Sequence, residues 1–212
     1  QQAKVFVNGE FVVSHEGGYS AFRADITEKC TEEFNTIAIW CSNEKCDAIY
    51  PQSADFTFYG GLYRGAHLIC VPETHFELLH YGDLGIHAAT EPASWDKEDF
   101  MLLIRTKICG VEIDNQVIYQ IFDEDGKEVA SAARPADSPD TSIPLYKPHR
   151  WDIKNSYQYT LKALIMRNNE CLDEVELKFG VRTFCCDPGR GFLINGNCVP
   201  LRCVSRHQDK LY

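Results

Sequence analysis

The 212-residue sequence lacks the features that would point to a membrane or to nucleic acid. No apolar run approaches the roughly 18 residues that a membrane-spanning helix needs. Basic residues are not in excess, since the formal net charge is −10, whereas binding to phosphates requires a positively charged face. The same charge disfavours an anionic lipid surface. The sequence therefore predicts neither nucleic acid nor a membrane as a partner.

The first residues also lack the basic and then apolar pattern of a secretory signal. The chain opens with Gln1-Gln2, without Met, directly before a strand-like segment, which is typical of a piece of a longer protein. We therefore predict a cytoplasmic protein. Secretion or export to the periplasm is the alternative if a signal peptide lies on a preceding segment.

Helical periodicity is scarce, and alternation of apolar and polar residues recurs, which predicts an all-β chain. Asn8-Gly9 lies between two short strand-like runs and is the strongest local signal for a hairpin. Asp123–Gly126 predicts a second hairpin. About seven strands are expected between His67 and Phe184, which is typical of an immunoglobulin-like sandwich.

Within that region three segments carry specific predictions. We expect strands over His67–Val71 and His75–Leu79, separated by Pro72, which cannot donate a ladder hydrogen bond. The segment Ala133–Pro148 is rich in Pro, Ser and Asp, and we interpret it as an exposed connection.

The ten cysteines leave two interpretations open. A secreted β-protein would join them in disulfides, whereas a cytosolic enzyme would keep them as thiols. Adjacent Cys185-Cys186 would point to opposite faces of a strand, which suits neither a mutual disulfide nor a tetrahedral zinc site. We favour reduced thiols and expect no metal cluster of cysteines.

The most informative motif lies near the end of the sequence. An apolar strand ending in Gly-x-Arg is followed by an Asn-Gly turn and a second apolar strand that ends in Arg206-His207. The order of residues runs Phe179-Gly180-Val181-Arg182-Thr183-Phe184, then Gly191-Phe192-Leu193-Ile194-Asn195-Gly196, then Leu201-Arg202-Cys203-Val204-Ser205-Arg206-His207. This pattern resembles glycoside hydrolase family 2, at the junction where a β-sandwich leads into the first strand of the catalytic (β/α)8 barrel.

The front of the chain carries a second resemblance to the same family. Residues 3–25 and the closing segment, Tyr50 to Arg64, are similar to the end of the family's jelly-roll sugar-binding domain. The closing segment contains Asp55-Phe56-Thr57-Phe58-Tyr59-Gly60-Gly61-Leu62-Tyr63-Arg64. The resemblance therefore implies three parts: residues 1–69 as the C-terminal part of the jelly roll, 70–184 as the immunoglobulin-like sandwich, and 185–212 as the short start of a truncated TIM barrel.

The resemblance also implies which residues touch sugar. In the β-galactosidase branch, the residue matching Asp55 contacts sugar hydroxyls and often a sodium ion, roles that suit a carboxylate. Arg206 and His207 match the family's Arg-His pair, whose His contacts the galactosyl ring. Taken alone, Asp55 would be only a turn former and His207 a solvated terminal residue. Cys203, Ser205 and Gln208 depart from the family's Gly, Asn and Glu.

The implied parent is a retaining exo-β-glycosidase that hydrolyses terminal β-D-galactosides in carbohydrate metabolism. Such enzymes use two carboxylates about 5–5.5 Å apart, one as nucleophile and one as acid/base. In this family both lie in the barrel, so we assign no catalytic residue here and predict that the 212 residues alone are inactive.

No cofactor is expected in this segment, while the resemblance implies Mg and Na for the parent. The implied partner is a β-galactoside, and a homo-oligomer stays open. A non-catalytic carbohydrate-binding or adhesion module is the competing interpretation, which exposed aromatic platforms would favour. Trp40, Trp95 and Trp151 occur singly in separate segments, which speaks against it.

Overall fold

The computed structural model describes residues 1–46, 49, 58–80 and 82–205. It confirms an all-β chain whose strands pair in antiparallel sheets. The chain divides into two compact units, of which the first is built mainly from Gln1–Ile69 and the second from Cys70–Leu78 and Asp83–Cys203. Within the described residues, no helix is long and apolar enough to cross a membrane.

The first unit contains a three-stranded sheet in the order β2-β1-β3. Its strands are β1 Gln2–Val7, β2 Glu10–Glu16 and β3 Ile37–Ser42, and the one described helix is a 3-10 turn at Thr27–Lys29. Asn8 and Gly9 adopt positive φ angles of 52° and 85°, which confirms the first predicted hairpin. The side-chain oxygen of Asn8 also accepts the backbone N–H of Thr36, so the turn is tied to the start of β3.

The second unit is a β-sandwich of a three-stranded sheet, β10-β6-β5, and a four-stranded sheet, β12-β11-β8-β9. These seven strands match the number expected for an immunoglobulin-like fold. A small β4-β7 pair and a β13-β14-β15 sheet complete the unit. The strands are β4 His75–Phe76, β5 Ile86–Pro92, β6 Phe100–Thr106, β7 Ile108–Cys109, β8 Gln116–Phe122, β9 Glu128–Pro135, β10 Thr141–Leu145, β11 Tyr159–Arg167, β12 Glu170–Phe179, β13 Phe184–Asp187, β14 Gly191–Ile194 and β15 Asn197–Cys198.

The sandwich core follows from strict alternation along its central strands. Inward residues of both sheets form one cluster, because successive side chains on a strand point to opposite faces. Tyr119 lies in this cluster, and its hydroxyl lies 2.7 Å from the Thr106 hydroxyl and donates to the Pro139 carbonyl at 2.9 Å. Burial raises the pKa of Tyr119 to about 12. The phenol is therefore a neutral, hydrogen-bonded part of the core.

Three predicted segments differ from the structure. His67–Val71 forms no strand, and the strand predicted over His75–Leu79 is only β4, His75–Phe76. The segment predicted as an exposed connection, Ala133–Pro148, contains strand β10, in which Ile143 and Leu145 are buried. Its Pro144 was the misleading signal. Among the described strands β10 pairs with β6 alone, which makes it an edge strand, where a missing N–H is tolerated.

Ten cysteines are described, and no disulfide joins any of them. Cys41 and Cys109 are half-buried on strands, whereas Cys70 is exposed and outside the described strands. The redox state of the thiols stays a prediction to be tested by thiol counting.

Candidate functional site

The first half of the C-terminal motif is the end of the sandwich core. Phe179 closes strand β12, and its ring stacks on Tyr159 with centroids 5.6 Å apart. Both rings are buried. The phenylalanine of the motif therefore anchors the motif to the sandwich through packing.

Gly180 and Arg182, the next residues of the motif, pack on Trp151. A Cβ on Gly180 would lie 2.9 Å from the Trp151 Cβ, so this position admits only glycine without displacement. The Arg182 guanidinium carbon lies 4.8 Å from the centre of the Trp151 ring, a cation–π distance. The Trp151 backbone N–H donates to the Val181 carbonyl at 2.9 Å. Thus Gly-x-Arg of the motif is shaped by one tryptophan about 30 residues earlier in the sequence.

Asn195 connects the second half of the motif to Trp151 through a hydrogen bond. Its amide nitrogen donates to the Trp151 carbonyl at 3.0 Å, and its side-chain oxygen accepts the Thr183 N–H at 3.0 Å. Its backbone N–H donates to the Thr183 carbonyl at 2.9 Å. Asn195 and Gly196 have positive φ angles of 50° and 78°, as a two-residue hairpin turn requires. We call the set Trp151, Gly180, Arg182, Thr183 and Asn195 the tryptophan joint.

The contacts within the tryptophan joint are packing contacts and hydrogen bonds, so we assign it a structural role. Its hydrogen bonds and the β14–β15 pairing continue to Val199, whose N–H donates to the Phe192 carbonyl. Arg206 and His207, the sugar contacts implied by the resemblance, lie outside the described residues. Their role stays a prediction.

The front motif is described only in part. Asp55, the implied sugar and sodium ligand, also lies outside the described residues. The described remainder starts at Phe58, whose carbonyl accepts the Asn43 side-chain amide at 3.1 Å. Gly61 has a φ of +77°, so the Gly-Gly pair does supply a turn that a larger residue would strain.

Arg64 at the end of this motif is held within the first unit. Its Nη1 donates to the Tyr19 carbonyl at 2.9 Å, and its guanidinium lies 5.8 Å from the rings of both Tyr19 and Tyr63. Tyr59 meets Tyr63 edge to face at 5.8 Å. The sequence did not indicate this cluster, because Tyr19 is 45 residues from Arg64.

Sequence reasoning missed the role of Trp151 altogether. It was interpreted as one of three isolated tryptophans, and the structure places it at the centre of the tryptophan joint. An available signal was the glycine of Gly-x-Arg, since a glycine beside a strand end often marks the close approach of another group. That signal does not say which group approaches, so the partner could not be read from the sequence.

The chain is similar to known glycosidases in sequence and in fold. Residues 105–182, most of the sandwich, match the profile of glycosyl hydrolases family 2. The crystal structure of an FMN-binding β-glucuronidase from Faecalibacterium prausnitzii L2-6 is 45% identical to this chain, with a TM-score of 0.92 over 99% of it. The chain therefore belongs to glycosyl hydrolase family 2.

Curated relatives extend the likeness over almost the whole chain. A β-glucuronidase of Bacteroides fragilis is 30% identical over 98% of this chain, and a β-galactosidase of Thermoanaerobacter pseudethanolicus is 30% identical over 99%. The chain spans 31% and 28% of the length of these two proteins, respectively, and 32% of the Faecalibacterium chain. The similarity thus concerns about a third of each relative.

Proposed function

We propose that this chain is the scaffold and active-site rim of a retaining exo-β-glycosidase. The observation that supports this most strongly is the 45% identity, over 99% of the chain, to a protein named as a β-glucuronidase. No glutamate among the 212 residues is assigned as nucleophile or acid/base, so in this proposal both carboxylates lie in a barrel outside these residues.

Terminal β-glucuronides are the first substrates to test. The sequence alone favoured β-galactosides, and a 30%-identical relative named β-galactosidase keeps them as the second candidate. We put β-glucuronides before β-galactosides because the 45%-identical relative and a 30%-identical one are named β-glucuronidases. The proposal further includes a cytoplasmic location, a homo-oligomer, and Mg and Na in the complete protein.

In the proposal, Asp55, Arg206 and His207 contact the sugar, and Asp55 binds sodium. A carboxylate accepts hydrogen bonds from two neighbouring hydroxyls, and an imidazole can donate to a third. The tryptophan joint and the β14–β15 pairing hold the backbone as far as Val199, which precedes Arg206 and His207 in the sequence. The described residues would thus contribute to catalysis by holding the sugar-contacting residues in position, and they would not make or break bonds themselves.

The test uses the protein encoded by the complete reading frame. Asp55→Asn and His207→Asn should each lower kcat/KM for a nitrophenyl β-glucuronide at least about tenfold, as the loss of a transition-state contact does. Asp125→Asn, at an exposed hairpin tip, is the matched control and should leave kcat/KM unchanged. Equal kcat/KM in all three variants would contradict the assigned roles.

The same assay decides the substrate class. A higher kcat/KM for the nitrophenyl β-glucuronide than for the β-galactoside supports the first candidate, and the reverse supports the second. Turnover of neither glycoside would overturn the proposed function.

FMN is a further ligand to test, because the 45%-identical relative is described as an FMN-binding β-glucuronidase. Titration of this chain into FMN should quench or polarise the flavin fluorescence if the flavin contacts lie within the shared residues. An unchanged flavin fluorescence would mean that these 212 residues do not bind FMN.

A further inference from the structure

Two hairpin turns of the chain contain an asparagine directly before a glycine, Asn8-Gly9 and Asn195-Gly196. In such a pair the backbone nitrogen of the glycine can attack the side-chain amide carbon of the asparagine, because glycine has no side chain to hinder the approach. A C–N bond then forms, the amide nitrogen leaves as ammonia, and water opens the resulting cyclic imide to aspartate or isoaspartate. The sequence therefore holds two intrinsically reactive amides.

The backbone of both turns disfavours this attack. Asn8 and Asn195 have φ angles of 52° and 50°, in the left-handed region. With the ψ angle that belongs to this region, the nitrogen of the next residue points away from the Cβ of the asparagine. The imide ring can therefore close only after rotation about the Cα–C bond, and that rotation breaks the hairpin turn.

In the first unit, hydrogen bonds also hold the Asn8 amide. Its Nδ2 donates to the Lys29 carbonyl at 2.9 Å and to the Asn35 side-chain oxygen at 2.8 Å. Its Oδ1 accepts the Thr36 N–H at 3.0 Å. Asn35 is held in turn by Thr31, whose N–H donates to the Asn35 Oδ1 at 2.8 Å and whose carbonyl accepts from its Nδ2 at 2.9 Å. The nitrogen that would leave as ammonia is thus fixed by the segment that leads into β3.

In the second unit, the tryptophan joint holds the Asn195 amide in the same way. Its Nδ2 donates to the Trp151 carbonyl, and its Oδ1 accepts the Thr183 N–H, both at 3.0 Å. Conversion to aspartate would replace the donor by a carboxylate oxygen that faces the Trp151 carbonyl, and two acceptors repel each other. Isoaspartate would also add a methylene to the backbone of the turn. Either product would weaken the joint, because the Trp151 carbonyl would lose its partner.

We propose that Asn8-Gly9 and Asn195-Gly196 are latent deamidation sites, which the fold protects and which react only when the surrounding hydrogen bonds open. The rate at each site is then set by the fraction of molecules that are open there. Because neither product restores the original contacts, each event traps the opened form. This chemistry does not depend on whether the proposed hydrolysis of glycosides is correct.

The first test compares the folded 212-residue chain with the same chain in guanidinium chloride, at one mildly alkaline pH and one temperature. Mass spectrometry of proteolytic peptides gives the deamidated fraction at each asparagine over time. Asn8 and Asn195 should each react at least about tenfold more slowly in the folded chain, since a closed site reacts only through local opening. Asn155, which precedes Ser156, is the reference, because it is exposed and does not have a positive φ. Its rate should change much less.

Two variants test whether the named contacts protect each site. Asn35→Ala removes a partner of the Asn8 amide and should speed deamidation of Asn8 by about two- to tenfold, the factor that corresponds to one lost hydrogen bond. Gly180→Ala puts a methyl group 2.9 Å from the Trp151 Cβ, which displaces the residue whose carbonyl holds Asn195. It should speed deamidation at Asn195 and leave Asn8 unchanged.

Asn43→Ala is the matched control for Asn35→Ala. It removes another exposed amide of the first unit, one that donates to the Phe58 carbonyl, and should change neither rate. Equal rates at Asn8 in the two variants would contradict protection by Asn35.

Three other results would overturn the proposal: reaction of Asn8 or Asn195 in the folded chain at the unfolded rate, an equal slowing of Asn155, or an equal rise at both sites in either variant. An equal slowing of Asn155 would assign the difference to the solvent. The comparison of the folded with the unfolded wild-type chain needs no substitution, so it decides the proposal even if a variant fails to fold.

Discussion

The two units differ in how many apolar side chains they bury. The sandwich gathers them into one cluster that includes fully buried Val117, Tyr119, Leu161 and Ile165. Among the described residues of the first unit, the buried apolar side chains are Ala3, Val5, Val7 and Ile49. Large side chains such as Phe34, Ile37 and Trp40 are exposed there instead. The difference predicts that the sandwich contributes most of the chain's stability, because it buries the larger apolar cluster.

The largest effect is expected when a core side chain of the sandwich is truncated and compared with a truncated side chain of the first unit. Leu161→Ala removes a fully buried side chain and should lower the free energy of unfolding by about 2–5 kcal/mol. Ile37→Ala, at a side chain 47% exposed, should change it by no more than about 0.5 kcal/mol. Urea unfolding followed by fluorescence measures both. Equal losses would mean that the first unit has a core of its own.

The tryptophan joint extends the comparison to the end of the sandwich. Gly180→Ala forces a methyl group against Trp151 and should cost about 1–3 kcal/mol of unfolding free energy through overpacking. Gly189→Ala is the control, since its Cβ would meet only the Asp187 carboxylate at an ordinary 3.5 Å. If both glycines tolerate alanine equally in urea unfolding, the joint is not tightly packed.

The buried phenol of Tyr119 makes the stability of the sandwich depend on pH. Its pKa is raised by burial to about 12 in the folded chain, against about 10 when unfolded. The unfolded phenol therefore loses its proton first, so the stabilisation is complete below about pH 10 and falls as the pH rises toward 12. Tyr119→Phe should cost about 1–2 kcal/mol at neutral pH by removing the hydrogen bonds to Thr106 and Pro139.

Tyr119→Phe should also flatten the fall in melting temperature between about pH 10 and about pH 12. Tyr146→Phe, at a ring 72% exposed, serves as the control and should change neither quantity. An alkaline profile that is the same in both variants would show that Tyr119 does not control it.

The smallest expected effect is on the cation–π pair of the joint. Arg182→Gln removes the guanidinium above Trp151 and should cost about 0.5–1 kcal/mol, the range for exposed pairs. Arg105→Gln, at an exposed position on β6, is the control. A melting temperature that drops by the same amount in both variants would assign the effect to net charge.

Local turn chemistry explains what the sequence predicted well. The hairpins at Asn8-Gly9 and at Asp123–Gly126 depend on residues that tolerate positive φ, and both formed as expected. Residues along β8 and β11 alternate between buried and half-buried, because period two leaves only one face for the core.

Features that depend on register or on distant partners could not be predicted in this way. Phe6, Phe11 and Trp40 lie on one face of the first unit's sheet because strand pairing brings them together. The packing of Trp151 on Gly180 is a tertiary contact with no periodic signal. Of the candidate site, Asp55, Arg206 and His207 rest on resemblance, and they remain predictions.

The most direct test of the scaffold-and-rim assignment is hydrolysis by the purified 212-residue chain. If this chain is scaffold and rim, nitrophenyl β-glucuronide and nitrophenyl β-galactoside should both be stable in its presence, since the pair of catalytic carboxylates is assigned elsewhere. The complete gene product, assayed in parallel, should hydrolyse one of them. Turnover by the 212-residue chain that Asp55→Ala abolishes would contradict the assignment, because catalysis would then lie within the residues interpreted as its support.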